Sequence, residues 1–190
     1  MNTGTRPLTS TEIEVIKLTL GKNVGTIRDR TLFILGIKTG FRISEILSIK
    51  VLDCLQYGKV KPRITVSKGN TKGKIASRSV VIGEELSSVL TEYISSLPEG
   101  QEWLFTSRNG SQLSRSQAWR MLRQAFELNQ FEGKVATHSM RKSLATKVYE
   151  KSGKDIVATQ RALGHKNINS TISYLKFTDE QLDSLFLSID

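Results

Sequence analysis

Cysteine is almost missing from this sequence, and that scarcity narrows its chemistry before any motif is read. Cys54 stands alone, so no intrachain disulfide can form and no Cys-x-x-Cys or Cys/His zinc site can be assembled. Histidine occurs only at His138 and His165, with no His-Glu-x-x-His pair and no flanking carboxylate cluster, so metal binding fails on residue types. Aromatic residues make up 7% of the chain, which leaves the core to Ile, Leu and Val. No apolar run approaches the ~20 residues that a membrane span needs. The polar stretch Met1–Pro7 holds no apolar signal region. Asn109-Gly110-Ser111 and Asn169-Ser170-Thr171 match the glycosylation pattern by chance. These absences point to an intracellular, cytoplasmic protein. Acidic side chains are the last shortage: 18 Asp and Glu stand against 28 Lys and Arg, for a net charge of +10. Such an excess suits a polyanion, with nucleic acid first, because Lys and Arg gain affinity by displacing counterions from phosphates. Charge alone also fits a merely basic protein.

What is present reads as one mostly helical domain over 1–190 with a small antiparallel sheet. Thr9 and Glu12 have capping-box spacing ahead of Ile13, Ile16 and Leu20, which predicts a first helix ending near Gly21. A second helix over Thr26–Lys38 is apolar on every side, hence central, and Gly40 stops it. Phe41–Ile49 reads as a short third helix. Arg63–Val66 and Ser79–Ile82 are β-branched runs joined by a polar, Gly-containing connection. They predict a hairpin with a basic tip, in a sheet that includes part of Lys50–Asp53. Leu86, Val89, Leu90, Tyr93, Ile94 and Leu97 form an amphipathic stripe stopped by Pro98, and Trp103–Phe105 is extended. Further helices are expected over Ser114–Asn129, Ser139–Ser152, Asp155–Leu163, Ile168–Phe177 and Asp179–Ile189.

The candidate chemistry sits near the two histidines. His138 and Arg141 are three apart near a helix start, where they would share a face. His165 follows Gly164, which should end the preceding helix. Tyr174 comes nine residues later, out of phase with an approximate apolar stripe of Ile168, Ile172 and Leu175. Taken singly, such a histidine is usually a cap and such a tyrosine usually packing. A phosphate-binding loop fails at Gly69–Lys74, where the spacing is wrong and Ile75 stands where Ser or Thr is needed.

Jointly these residues resemble a known family. Thr39-Gly40-Phe41-Arg42-Ile43-Ser44-Glu45-Ile46-Leu47 is similar to the first signature box of the tyrosine recombinases, or phage-type integrases. His138-x-x-Arg141 resembles the second box, and Leu163-Gly164-His165 followed by Tyr174 resembles the family's Leu-Gly-His…Tyr spacing. The resemblance runs from about Leu8 to the C-terminus. It implies the family's catalytic-domain fold and a DNA strand-exchange activity. Arg42 and Arg141 would clamp the phosphate oxygens by planar, bidentate hydrogen bonds, and His165 would donate one more. Tyr174 would attack phosphorus to form a 3′-phosphotyrosyl link, with His138 as its base. A hairpin lysine would protonate the departing 5′ oxygen. Ser67-Lys68-Gly69-Asn70 is similar to the family's lysine box, which favours Lys68; Lys72 is the competitor, and Lys74 would touch phosphate. Glu45 would hold an arginine or the fold in place. Neither ATP, metal nor other cofactor is implied, because the phosphotyrosine stores the bond energy. DNA is favoured over RNA, whose 2′-hydroxyl could attack that link.

Arg115, Arg120 and Arg123 on the Ser114–Asn129 helix suit either a helix lying along DNA or a solvated basic face. The apolar stripe of the last helix, 179–189, suits packing on a neighbouring protomer or on its own domain. The DNA-clamping domain that precedes most members' catalytic domain is expected to be absent. The chain would then be an excised catalytic domain or a short member like the bacterial invertases that switch fimbrial expression, and Met1 favours the second. Two other activities fit the same residues: a type IB topoisomerase, and a non-catalytic DNA-binding protein that kept the fold.

Overall fold

The computed structural model describes residues 4–23, 25–67, 77–175 and 187. The chain divides into two compact units, 1–144 and 145–190, and the boundary falls within a helix.

In the first unit, α1 (Ser10–Leu18) starts on the capping box the sequence predicts: Thr9 Oγ1 accepts from the Glu12 backbone N–H, and the Glu12 carboxylate accepts from that of Thr9. Its end differs slightly, since the chain continues through a π turn, Thr19–Asn23. The central helix α2 (Ile27–Thr39) buries Leu32, Phe33, Ile34 and Leu35 completely, as a helix apolar all round must. Gly40 ends it in the left-handed conformation, at φ +58°. There follow α3 (Ile43–Leu47) and a single turn, α4 (Val51–Cys54). α5 (Glu84–Ser95) packs against α2 and buries Leu86, Val89, Leu90 and Tyr93. The Tyr93 hydroxyl donates to the Leu104 carbonyl at 2.8 Å, and burial pushes its pKa up to about 12. α6 (Arg115–Leu128) is capped by Ser114 and sets Phe126 edge-on to Phe33.

The strands form two separate antiparallel pairs. β3 (Arg63–Val66) pairs with β4 (Arg78–Val81), with Ile64 opposite Val80, as expected. β1 (Leu55–Gln56) and β2 (Lys59–Val60) form a second small hairpin. Lys50–Asp53 does not join the β3–β4 sheet. Lys50 bridges Trp103 instead, flanked by Val51 N–H to Glu102 O and Leu104 N–H to Ile49 O, and Val51 then begins α4. The physical reason is that the Asp53 carboxylate accepts the Lys50 N–H at 2.9 Å, a helix-start bond that turns the chain away from extension.

The helix α7 (Thr137–Lys151) carries the unit boundary. Its first half lies very close to α2: a Cβ added at Gly36 would fall 2.6 Å from Met140 Sδ, and one at Gly40 2.6 Å from Leu144 Cδ2. Gly36 and Gly40 are four apart, as are Met140 and Leu144. Two absent side chains on one helix face thus admit two present ones on the other. The second unit continues with α8 (Ile156–Leu163), capped by Asp155, and α9 (Ile168–Ile172), capped by Asn167. α9 stops five residues short of the expected Phe177. Among the described residues no helix is long and apolar enough to cross a membrane. The lysines Lys68, Lys72 and Lys74 lie outside the described residues, as does the expected last helix apart from Leu187, which is helical and exposed.

Candidate phosphate-binding and nucleophile residues

The first unit brings two guanidiniums, Arg42 and Arg78, to the buried Glu45 carboxylate, and a third, Arg141, to the Gly40 carbonyl that Arg78 also holds. Glu45, 1% exposed, accepts the Arg42 backbone N–H at 2.7 Å and Arg42 Nη1 at 2.8 Å. Arg42 thereby becomes the N-cap of α3 with its side chain tied one turn ahead, 24% exposed. Arg141 is 1% exposed, and its Nη1 donates to the Gly40 carbonyl. Gly40 is itself the left-handed residue that ends α2. The close α2–α7 approach, admitted by the two glycines, is what brings Arg141 within reach.

Arg78, the first residue of β4, was not singled out by the sequence. Its Nη2 donates to Thr39 O at 2.6 Å and its Nη1 to Gly40 O at 3.2 Å. The guanidinium lies 4.8 Å from the centroid of the Phe41 ring and 4.0 Å from a Glu45 oxygen. Burial and then the charge of Arg141 push the pKa of Arg78 down to about 10, with Glu45 opposing and Arg42 adding to the fall. It stays charged at neutral pH. Arg42 and Arg78 thus lie against the Glu45 carboxylate, and Arg78 and Arg141 share the Gly40 carbonyl. The sequence signal that could have revealed Arg78 is weak: an arginine opening a strand of otherwise short side chains.

His138 stands near the start of α7 and is exposed, whereas Arg141, one turn on, is buried. Both stand on α7 at the expected spacing of three, and the packing of α7 on α2 through Met140 and Leu144 draws Arg141 inward with them.

The second unit holds His165 and Tyr174 together. Gly164 ends α8 at φ +63°, and the His165 N–H returns to the Gln160 carbonyl at 3.1 Å. The Tyr174 ring meets the imidazole edge-on, centroids 5.0 Å apart and planes at 79°. The expected apolar stripe on the surrounding helix needs correction. Ile168 and Ile172 are 39% and 47% exposed, while Thr171 is fully buried. Tyr174 sits in the turn after α9, half-buried, on the Thr171 side. α9 is too short to bury an apolar stripe, so its inward face is chosen by the Thr171–His165 bond rather than by hydrophobicity.

Arg115, Arg120 and Arg123 are all exposed on α6. Arg123 is bound to Glu127 at 2.5 Å and lies over Trp119 at 4.9 Å. Arg120 shares a groove of about 610 Å³ with Arg28 and Arg108, two further arginines the sequence did not mark. Among the described residues no group of three or more His, Cys, Asp or Glu side chains could hold a metal ion.

Comparison with known proteins places this arrangement. The model of the phage integrase family matches residues 6–181. The probable integrase/recombinase YoeC of Bacillus subtilis is 34% identical over 168 residues, covering 88% of this chain and 86% of that protein. Tyrosine recombinase XerD of Staphylococcus epidermidis is 32% identical over 174 residues, but this chain spans 56% of its length. Among solved structures, XerA recombinase superposes with a TM-score of 0.78 at 22% identity, over 99% of this chain and 66% of that one. XerH bound to its palindromic difH substrate gives 0.75 at 25% identity, over 97% of this chain and 53% of that one. The chain therefore belongs to the phage integrase family, as a tyrosine recombinase catalytic domain.

Proposed function

We propose that this chain is a site-specific DNA recombinase that cleaves and rejoins DNA through a covalent bond to Tyr174. The observation that carries the reading is the His165–Tyr174 pair, a phenol set edge-on to an imidazole nine residues away. In the proposed step the Tyr174 Oη attacks a backbone phosphorus. The Oη–P bond forms as the bond from phosphorus to the 5′ oxygen breaks, leaving a 3′-phosphotyrosyl end and a free 5′-hydroxyl. A phenol has a pKa near ~10, so His138 takes its proton. Lys68, or its competitor Lys72, protonates the departing oxygen. Arg42 and Arg141 hold the non-bridging oxygens, where charge accumulates, and His165 donates to the same group. Burial of Arg141 and the Glu45 tether on Arg42 support this assignment, because a donor already fixed costs no reorganisation during the reaction.

Double-stranded DNA is the proposed partner. The exposed arginines Arg115, Arg120 and Arg123, and Lys74, would meet backbone phosphates. Self-association on DNA fits a family in which XerH is described on a palindromic substrate, since two equivalent half-sites call for two equivalent protomers. Residues 179–189 are the segment proposed to join them. The protein would act in the cytoplasm, on the nucleoid.

The deciding experiment incubates wild type and Tyr174→Phe with nicked suicide duplexes drawn from the DNA flanking the gene. A covalent protein–DNA adduct from wild type alone is expected. Its absence on every flanking segment overturns the enzyme reading in favour of a DNA-binding protein. Robust supercoil relaxation independent of sequence would favour a topoisomerase instead.

A further inference from the structure

Both members of the His165–Tyr174 pair are tied to one residue. Thr171 Oγ1 lies 2.9 Å from His165 Nδ1, and the Thr171 carbonyl accepts the Tyr174 N–H at 2.9 Å. Thr171 is fully buried and His165 is 9% exposed, so bulk water does not compete for the hydroxyl. The imidazole's backbone is also held: its N–H goes to Gln160 O, and Gln160 Nε2 donates back to His165 O at 3.0 Å and Lys166 O at 3.3 Å. Those bonds position the peptide, whereas the Thr171 hydroxyl reaches the ring itself.

We infer that Thr171 is a positioning residue that sets the tautomer of His165, its hydroxyl donating to Nδ1 so that the ring proton resides on Nε2. This rests on the reading of His165 as a donor to the phosphate. A neutral imidazole has one donor and one acceptor nitrogen, and the partner of one nitrogen decides the state of the other. Phosphate oxygens only accept. Were Nδ1 to carry the proton and donate to Thr171, Nε2 would face a phosphate oxygen with a lone pair and repel it. A hydroxyl can rotate to donate, and a buried one keeps that orientation without exchange with solvent. The carbonyl bond to the Tyr174 N–H makes the same residue a gauge between donor and nucleophile: a shift of Thr171 moves both. The charged or titratable groups that flank the ring along the chain are Arg161 on α8, Lys166 and Tyr174 itself, while α9 carries none.

The chain has only two histidines, which makes the tautomer directly readable. Imidazole ¹⁵N shifts of the full chain, assigned with His138→Gln, should show Nε2 of His165 as the protonated nitrogen and Nδ1 as the acceptor. In Thr171→Val, which keeps the shape and removes the hydroxyl, the two shifts should move toward each other; Thr171→Ser should restore them. A protonated Nδ1 in the wild type overturns the inference, whatever the activity. The kinetic arm follows adduct formation on a suicide duplex. Thr171→Val should be slower by about 10-fold. Thr171→Ser should track the wild type. A deficit shared by Thr171→Ser means packing alone and also overturns the inference. Wild-type failure to form any adduct would count against the proposed function, and the shift measurement would still decide the role of Thr171.

Discussion

The two units solve different problems with different materials. Around Gly40 the first unit fixes its cations from several sides: Arg141 and Arg78 on the end of α2, and Arg42 on the Glu45 carboxylate, all at least three-quarters buried by side chain or residue. The second unit hangs its tyrosine on the turn after a five-residue helix, with Thr171 as the shared anchor. The contrast is physical. Under the proposed function these arginines hold a phosphate, so they must be fixed before the anion arrives. Close packing of α7 on α2 supplies that rigidity for Arg141, and the Glu45 carboxylate supplies it for Arg42. Under the proposed function Tyr174 must instead approach and then leave phosphorus, and it stands in a turn after a short helix. Substitutions around Gly40 should therefore strike stability and chemistry together, and substitutions at Tyr174 should strike chemistry alone.

The largest effect tests the second half of that statement. Tyr174→Phe should abolish the adduct, by more than about 1000-fold, while unfolding free energy in urea stays within about 1 kcal/mol of wild type. A comparable loss of stability would remove the contrast. Next in size is Gly40→Ala. A left-handed alanine costs roughly 1 kcal/mol, and the added Cβ would meet Leu144 Cδ2 at 2.6 Å, so a total loss of about 2–4 kcal/mol is expected in the same measurement. Adduct formation should fall with it, because Arg141 loses its seat. Arg78→Lys sharpens the comparison further. It keeps a positive charge but cannot hold both the Thr39 and Gly40 carbonyls in one planar fork. Stability should fall by about 1–2 kcal/mol, and adduct formation by about 10-fold with DNA affinity nearly unchanged, read as a change in rate at saturating DNA.

The smallest effect lies outside both regions. Glu85, at the start of α5, binds Lys17 at 2.5 Å and also Lys38, and these hydrogen bonds hold its carboxyl pKa down at about 2. A depressed carboxylate contributes stability that is present above its unfolded pKa, near ~4.3. That contribution is lost as pH falls from there through about 2. The carboxylate is 42% exposed, so solvent screening keeps it under about 1 kcal/mol. The stability gap between wild type and Glu85→Gln should close between about pH 5 and pH 2, and a gap independent of pH would assign the effect to packing.

Much of this molecule was legible before folding was considered. Thr9 and Glu12 announced α1, the apolar run in Leu32–Leu35 announced a central helix, and Gly40 announced its end. Those are signals between residues at most four apart, which the helix period itself encodes. The residue types of the candidate site were legible for another reason: Arg42, His138, Arg141, His165 and Tyr174 matched a family by order and spacing. Errors arose where long-range bonds overrode a local pattern. Ile168 and Ile172 looked like an inner stripe but face outward, because Thr171 is drawn in by His165. Lys50 looked like a strand of the hairpin sheet but bridges Trp103.

The sequence by itself determined α1 with its capping box, the central α2 with its Gly40 stop, the buried stripe of α5, the β3–β4 hairpin strands and the identity of the family, since each is written in short-range periodicity or in ordered motifs. Tertiary structure alone decided that Arg141 rests on the Gly40 carbonyl, 101 residues away, that Arg78 takes the Gly40 and Thr39 carbonyls from 38 and 39 residues away, and that Thr171 holds the His165 ring. Each of these is a single hydrogen bond or fork whose partner is chosen by how closely two elements can pack or turn. Gly36 and Gly40 show the limit of a one-dimensional reading: a missing side chain signals a helix stop in sequence, but only the packed fold reveals what was let in.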